Sequence, residues 1–116
     1  MKRSNKEERI YYMCADLFKT LANPTRLMIL DLLKEGEKSV NEIAKLTGRR
    51  QSNISQHLTI LKQMGMVTAR REKTNTYYRV TSSKVIQLCH LIREVLYEVL
   101  KEGEEIAKSI HISKPG

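Results

Sequence analysis

Residues 39–80 read SVNEIAKLTGRRQSNISQHLTILKQMGMVTARREKTNTYYRV, and this stretch decides the fold. Ser39 can cap a short helix in which Val40, Ile43, Ala44 and Leu46 face inward. Gly48 closes that helix, because a chain leaving a helix through a left-handed conformation favours glycine. A second helix spans residues 50–64, with Ile54, Leu58 and Leu61 as its core stripe and Gly65 at its end. Thr47-Gly48-Arg49 is therefore a short, glycine-containing turn between two helices, the mark of a helix-turn-helix. Residues 67–71 and 76–80 alternate as two strands around a polar turn at 72–75.

The outer face of the second helix carries the functional reading. Stepping about 100° per residue from Ile54, Ser52, Gln56, Thr59 and Gln63 fall within about 40° of the opposite side, and Ser55 lies at about 100°. These side chains are short or amide-bearing and uncharged, whereas a solvated face on so charged a chain would carry Lys and Glu. Gln can bond adenine through two atoms, and Ser or Thr can bond several bases. Gln51, Ser52, Ser55, Gln56 and Thr59 are thus the candidate base readers of a helix that enters the major groove. The competing reading is a polar face with no partner.

Charge points the same way. The net charge is +8, and +6 of it sits in residues 49–80, where Arg49, Arg50, Lys62, Arg70, Arg71, Lys73 and Arg79 face one acid, Glu72. Such a block suits a polyanion, or else is a solvated basic face. Arg49 and Arg50 lie where the helix enters, and Arg70, Arg71, Lys73 and Arg79 flank the hairpin turn, so all six are candidate DNA-backbone contacts. The hairpin reads as a wing, with a cover for the core as its alternative. Tyr77 and Tyr78 alternate across the strand, so one packs inward and the other stays outside.

Outward from this stretch, the chain is one domain. It has 116 residues, 41% apolar and 29% charged, a globular balance that leaves no room for a second core. Residues 1–6 read as a flexible tail, 7–110 as the domain and 111–116 as a second tail. A first helix over 7–21 carries Ile10, Cys14, Leu17, Phe18 and Leu21 on one face. Asn23-Pro24 restarts the chain into a mostly buried helix with Leu27, Ile29, Leu30, Leu32 and Leu33, stopped by Gly36. A last helix over 83–110 carries Val85, Cys89, Ile92, Leu96 and Val99. The expected order is α-α-α-α-β-β-α, mainly helical with a β-hairpin wing.

Several classes fall away. No apolar run is long enough for a membrane span, and no apolar stretch follows the basic N-terminus as in a secretory signal, so a cytoplasmic protein is expected. Two cysteines 75 positions apart make neither a disulfide scaffold nor a four-cysteine zinc site. No nucleophile–base pair, phosphate loop or paired carboxylates stand out, so an enzyme is not expected, and no cofactor is implied. The expected partner is double-stranded DNA. The alternative to a sequence-specific repressor is an architectural DNA-binding protein with structural cysteines and no inducer, against which the amide-rich reading face argues. A winged helix that pairs with protein is a further alternative. The first and last helices have apolar stripes beyond what one core can cover, which points to a partner chain.

The pieces LANPTRLMIL (21–30), QSNISQHLTILKQMGMV (51–67) and RRE…YYRV (70–80) together resemble the ArsR/SmtB winged helix-turn-helix repressors, over roughly residues 14–100. The resemblance implies a prokaryotic homodimer, joined through the first and last helices, on a palindromic operator. It implies release by a metal, metalloid or redox signal. Arg50 departs from the Ser or Thr common at that cap position, exchanging capping for a phosphate contact. His57 matches the family's Q-H-L, as a DNA-flanking or packing residue.

The family's metal sites are not expected here. The cysteine pair of the third helix is replaced by Ser39-Val40-Asn41-Glu42-Ile43, and the last-helix ligands by Ser82, Lys84, Val95 and Glu98. His90 and Glu94 are spaced as an exposed helix pair. In the persulfide-responsive members one cysteine lies in the second helix, where this chain has Asp31, so their site does not transfer. Cys14 and Cys89 leave three readings open: a thiol switch, a thiophilic metalloid site, and two free cysteines serving as small apolar residues.

Overall fold

The computed structural model describes residues 4–113, with side chains described to residue 110. Helix α1 (Asn5–Leu21) begins inside the segment read as a tail, because the Ser4 hydroxyl accepts a hydrogen bond from the Glu7 amide at 3.1 Å. Helix α2 (Pro24–Leu33) starts at the Asn23-Pro24 break, where the Asn23 side chain accepts from the Arg26 amide. Helix α3 (Val40–Thr47) opens on a reciprocal cap in which Ser39 and Glu42 each bond the other's backbone amide. It ends on Gly48 at φ 69°, as the sequence demanded. Helix α4 (Gln51–Gln63) follows, then strands β2 (Val67–Glu72) and β3 (Asn75–Val80), and helix α5 (Ser83–Ser113).

The sequence reading lacked one element. A two-residue strand, β1 (Lys38–Ser39), pairs antiparallel with β3, Lys38 opposite Tyr78 and Ser39 opposite Tyr77. The wing is therefore the outer part of a three-stranded sheet in the order β1-β3-β2. The hairpin pairs through Glu72 and Asn75, so its turn is shorter than expected and places Lys73 at φ 56°. Helix α5 also runs three residues past the predicted end at residue 110.

The core is aliphatic and built where the stripes predicted. Ile54, Leu58 and Leu61 of α4 are completely buried against Ile29, Leu30 and Leu33 of α2, Ile43 of α3 and Val67 of β2. Two expectations need correction. Leu46, placed inward by its spacing, is 61% exposed, because α3 is two turns long and its last apolar residue rotates toward an open groove beside α5. Leu27 likewise lies at the edge of that groove and is 37% exposed. Along α1 only Thr20 and Leu21 are buried, and along α5 only the first turns, at Val85 and Cys89, pack on the core.

Candidate nucleic-acid interface

Helix α4 is fixed from below by its three buried residues, so its opposite face is presented as a rigid surface. Ser52, Ser55, Gln56 and Thr59 are all exposed on it. The Thr59 hydroxyl donates to the Ser55 carbonyl at 2.9 Å, which steadies the exposed side chain. Gln51 is exposed too, but its amide donates to Asn41 Oδ1 of α3 at 2.7 Å, tying the two helices of the motif across their outer side. Arg50 occupies the cap position, exposed and without a side-chain capping bond, as its departure from Ser or Thr implied.

The basic residues divide into two groups. Arg50, Arg71, Lys73 and Arg79 are exposed, at the entry of α4 and along the wing. Arg70 is exposed too, but it and the half-buried Arg49 also bond to protein groups. Arg49 is half-buried, its guanidinium donating to the Thr47 carbonyl at 3.3 Å and lying 3.7 Å from Met28 Sδ of α2. Arg70 donates through Nε and Nη2 to the Glu37 carboxylate and through Nη1 to Glu72 at 2.8 Å, with its guanidinium 4.9 Å from the Tyr77 ring centre. Those bonds raise the Arg70 pKa further and, with Arg70's charge, hold Glu37 below the usual carboxylate range. Arg70 is thus the clasp at the base of the wing. Tyr78 packs on the core while Tyr77 supports Arg70 on the other face, the alternation read from sequence.

His57 lies half-buried at the flank of α4, and its Nδ1 accepts a hydrogen bond from Arg26 Nε at 3.2 Å. Burial, joined by the charges of Arg26 and Arg49, lowers its pKa, so the ring is neutral with its proton on Nε2. Glu37, Asn41 and Arg26 were all missed by the sequence reading. Each is paired with a residue distant in sequence, and no local pattern marks such a pairing.

The cysteines sit differently. Cys14 is exposed on α1. Cys89 is half-buried at the start of α5, where burial and the nearby Asp31 carboxylate raise its thiol pKa against the opposing effect of Arg93. His90 and Glu94 form the exposed i,i+4 pair, 3.0 Å apart. Among the described residues no group of three or more His, Cys, Asp or Glu side chains could hold a metal ion, and no helix is long and apolar enough to cross a membrane.

Comparison with known proteins agrees with this geometry. Residues 23–69 match the family model described as bacterial regulatory protein, arsR family. The HTH-type transcriptional regulator Rv0081 of Mycobacterium tuberculosis is 38% identical over 104 residues, covering 89% of this chain and 91% of that protein. Its crystal structure superposes with a TM-score of 0.75 over 80% of this chain and 94% of the other. The chain belongs to the ArsR family of bacterial regulatory proteins. The biofilm growth-associated repressor of Xylella fastidiosa is 39% identical over 92 residues, 79% of this chain and 80% of that protein. A homodimeric winged helix-turn-helix DNA-binding domain from Mycobacterium bovis is 40% identical, with a TM-score of 0.75 over 84% of this chain and 91% of the other. As an ArsR-family chain this is a winged helix-turn-helix regulator, not an enzyme.

Proposed function

We propose that the chain is a homodimeric repressor of transcription that reads a palindromic operator and is released by a small inorganic or redox signal acting through Cys14 and Cys89. The observation that carries the DNA-binding reading is the exposed, uncharged face of α4, with Ser52, Ser55, Gln56 and Thr59, on a chain that also exposes the cations Arg50, Arg71, Lys73 and Arg79. Uncharged donors and acceptors distinguish bases, and surrounding cations hold the backbone.

The dimer is supported by surface that one copy leaves uncovered. Phe18 and Ile10 of α1 are 59% and 54% exposed, and Leu96 and Val99 of α5 are 55% and 60% exposed. The open groove between α2, α3 and α5 is mainly apolar, lined among others by Leu27, Leu46, Ile92 and Leu96. A radius of gyration of 19.2 Å exceeds the roughly 13 Å expected of a compact chain this long. The Mycobacterium bovis relative is described as homodimeric. Two-fold pairing would set the recognition helices about one DNA turn apart, roughly 34–36 Å.

The signal-sensing part rests on the placement of both thiols on the two helices proposed to form the dimer. The test is a fluorescence-anisotropy titration on the DNA upstream of the protein's own gene and on a random duplex, with reduced protein, with mildly oxidised protein and with Cys14→Ser. A large preference for the upstream duplex supports the repressor, and equal binding favours an architectural protein. Loss of affinity on oxidation that needs both cysteines supports the switch, and redox-insensitive binding makes the cysteines packing residues.

A further inference from the structure

We infer that Arg26 is a positioning residue for DNA reading: it ties the α1–α2 junction to the recognition helix through His57. The inference rests on the DNA-binding reading above. Arg26 sits in the first turn of α2, and its guanidinium spans two elements at once. Nη1 donates to the carbonyl of Thr20, in the last turn of α1, at 3.1 Å, while Nε donates to His57 Nδ1 of α4 at 3.2 Å. The backbone at Arg26 is itself held, its amide donating to the Asn23 side chain at 3.1 Å. Thr20 is buried, with its hydroxyl donating to the Asp16 carbonyl at 3.1 Å, so the α1 end of the link is rigid too.

The fork geometry is the reason for arginine. A planar guanidinium donates in two fixed directions, which a lysine ammonium at the same backbone position cannot reproduce. The imidazole supplies an acceptor only when it is neutral and protonated on Nε2. His57 is flanked in sequence by Gln56, on the reading face, and Leu58, completely buried. A shift at His57 therefore rotates α4 about its core stripe and moves the reading face. Helix α1 carries the exposed apolar stripe, so this side chain gives a displacement of α1 a polar route to the reading face beside the packing of Leu21 in the shared core. Arg26 acts through another residue and need touch no nucleic acid.

The experiment is a double-mutant cycle in the full chain with Arg26→Ala, His57→Leu and both together, plus His57→Asn, whose carbonyl offers an acceptor near the place of Nδ1. Binding is measured to a duplex that the wild-type protein selects from a randomised pool and to a random-sequence duplex, each over a range of salt. Denaturant unfolding of every variant checks folding. The inference expects each single variant to lose about tenfold on the selected duplex, with the double variant losing no more than either. It expects binding to the random duplex and the salt slope to stay unchanged, and His57→Asn to recover most of the loss. Additive losses in the double variant overturn the link. A salt slope reduced by about one in Arg26→Ala makes Arg26 a phosphate contact and overturns it as well. A wild-type protein that does not discriminate between the duplexes overturns the DNA-reading proposal and this inference together. Discrimination with an additive cycle overturns this inference alone.

Discussion

Glu37 reaches across 33 positions of sequence to clasp Arg70 at the foot of the wing, with both carboxylate oxygens within 3.0 Å of the arginine Nε. The wing's most heavily bonded cation is thereby neutralised from outside the wing, and Glu72 takes its remaining edge. Its neighbours Arg71, Lys73 and Arg79 are exposed.

A difference between two adjacent arginines follows. Arg71→Ala should weaken binding to all duplexes and lower the salt slope by about one, because an exposed cation displaces counterions from DNA. Arg70→Ala should leave the slope unchanged. Glu37→Gln should steepen the slope, since it releases part of a cation that is otherwise paired. Anisotropy titrations between about 50 and 200 mM salt measure all three.

Gln56 is exposed at the centre of the reading face. Gln56→Ala should cost about 1–3 kcal/mol on the selected duplex and relax preference at one base pair per half-site. Binding to random duplex should not change. Repeating the selection with the variant tests this directly, and equal weakening on both duplexes would show that α4 does not read bases.

The turn between α3 and α4 depends on Gly48 at φ 69°, with no atom within 4 Å of where a Cβ would stand. The cost of a side chain is therefore purely conformational. Gly48→Ala should destabilise the fold by about 1–2 kcal/mol, and Gly48→Asn by less, since Asn tolerates this region better. Chemical denaturation gives both values. Equal stability of all three proteins would mean that the turn can relax to another conformation.

Such local requirements are what the sequence made legible. The buried triplet Ile54, Leu58 and Leu61 shows in periodicity alone, and Gly48 shows because few residues accept its backbone angles. The Ser39–Glu42 cap lies within four positions of chain. Strand β1 was not legible, because two residues become a strand only through pairing with β3. Leu46 misled because an eight-residue helix has too few turns to set which apolar residue is outermost. At the site, exposure of Ser52, Ser55, Gln56 and Thr59 followed from the stripe beneath them. The intramolecular partners of Arg49 and Arg70, both proposed as backbone contacts, were not legible, because charge in a sequence does not reveal its partner. Glu37 and Met28 lie in segments that carry no basic block of their own.

The neutrality of His57 makes the fold sensitive to mild acid. Its pKa is held below the ordinary value of about 6.5 by burial first, then by Arg26 of α2 and Arg49 of the α3–α4 turn. The unfolded chain takes up a proton at the ordinary value while the folded chain resists, so the unfolded state binds more protons between the two pKa values. Stability is therefore fully present above about pH 6.5 and declines as pH falls toward the lowered folded value. Glu37 and Glu42, whose pKa values are also lowered, act only in the carboxylate range well below this window. His57→Asn cannot take up this proton and should lose the decline. Denaturation midpoints between pH 7.5 and pH 5 for the wild type and His57→Asn measure the difference, and parallel profiles would place the acid sensitivity in another group.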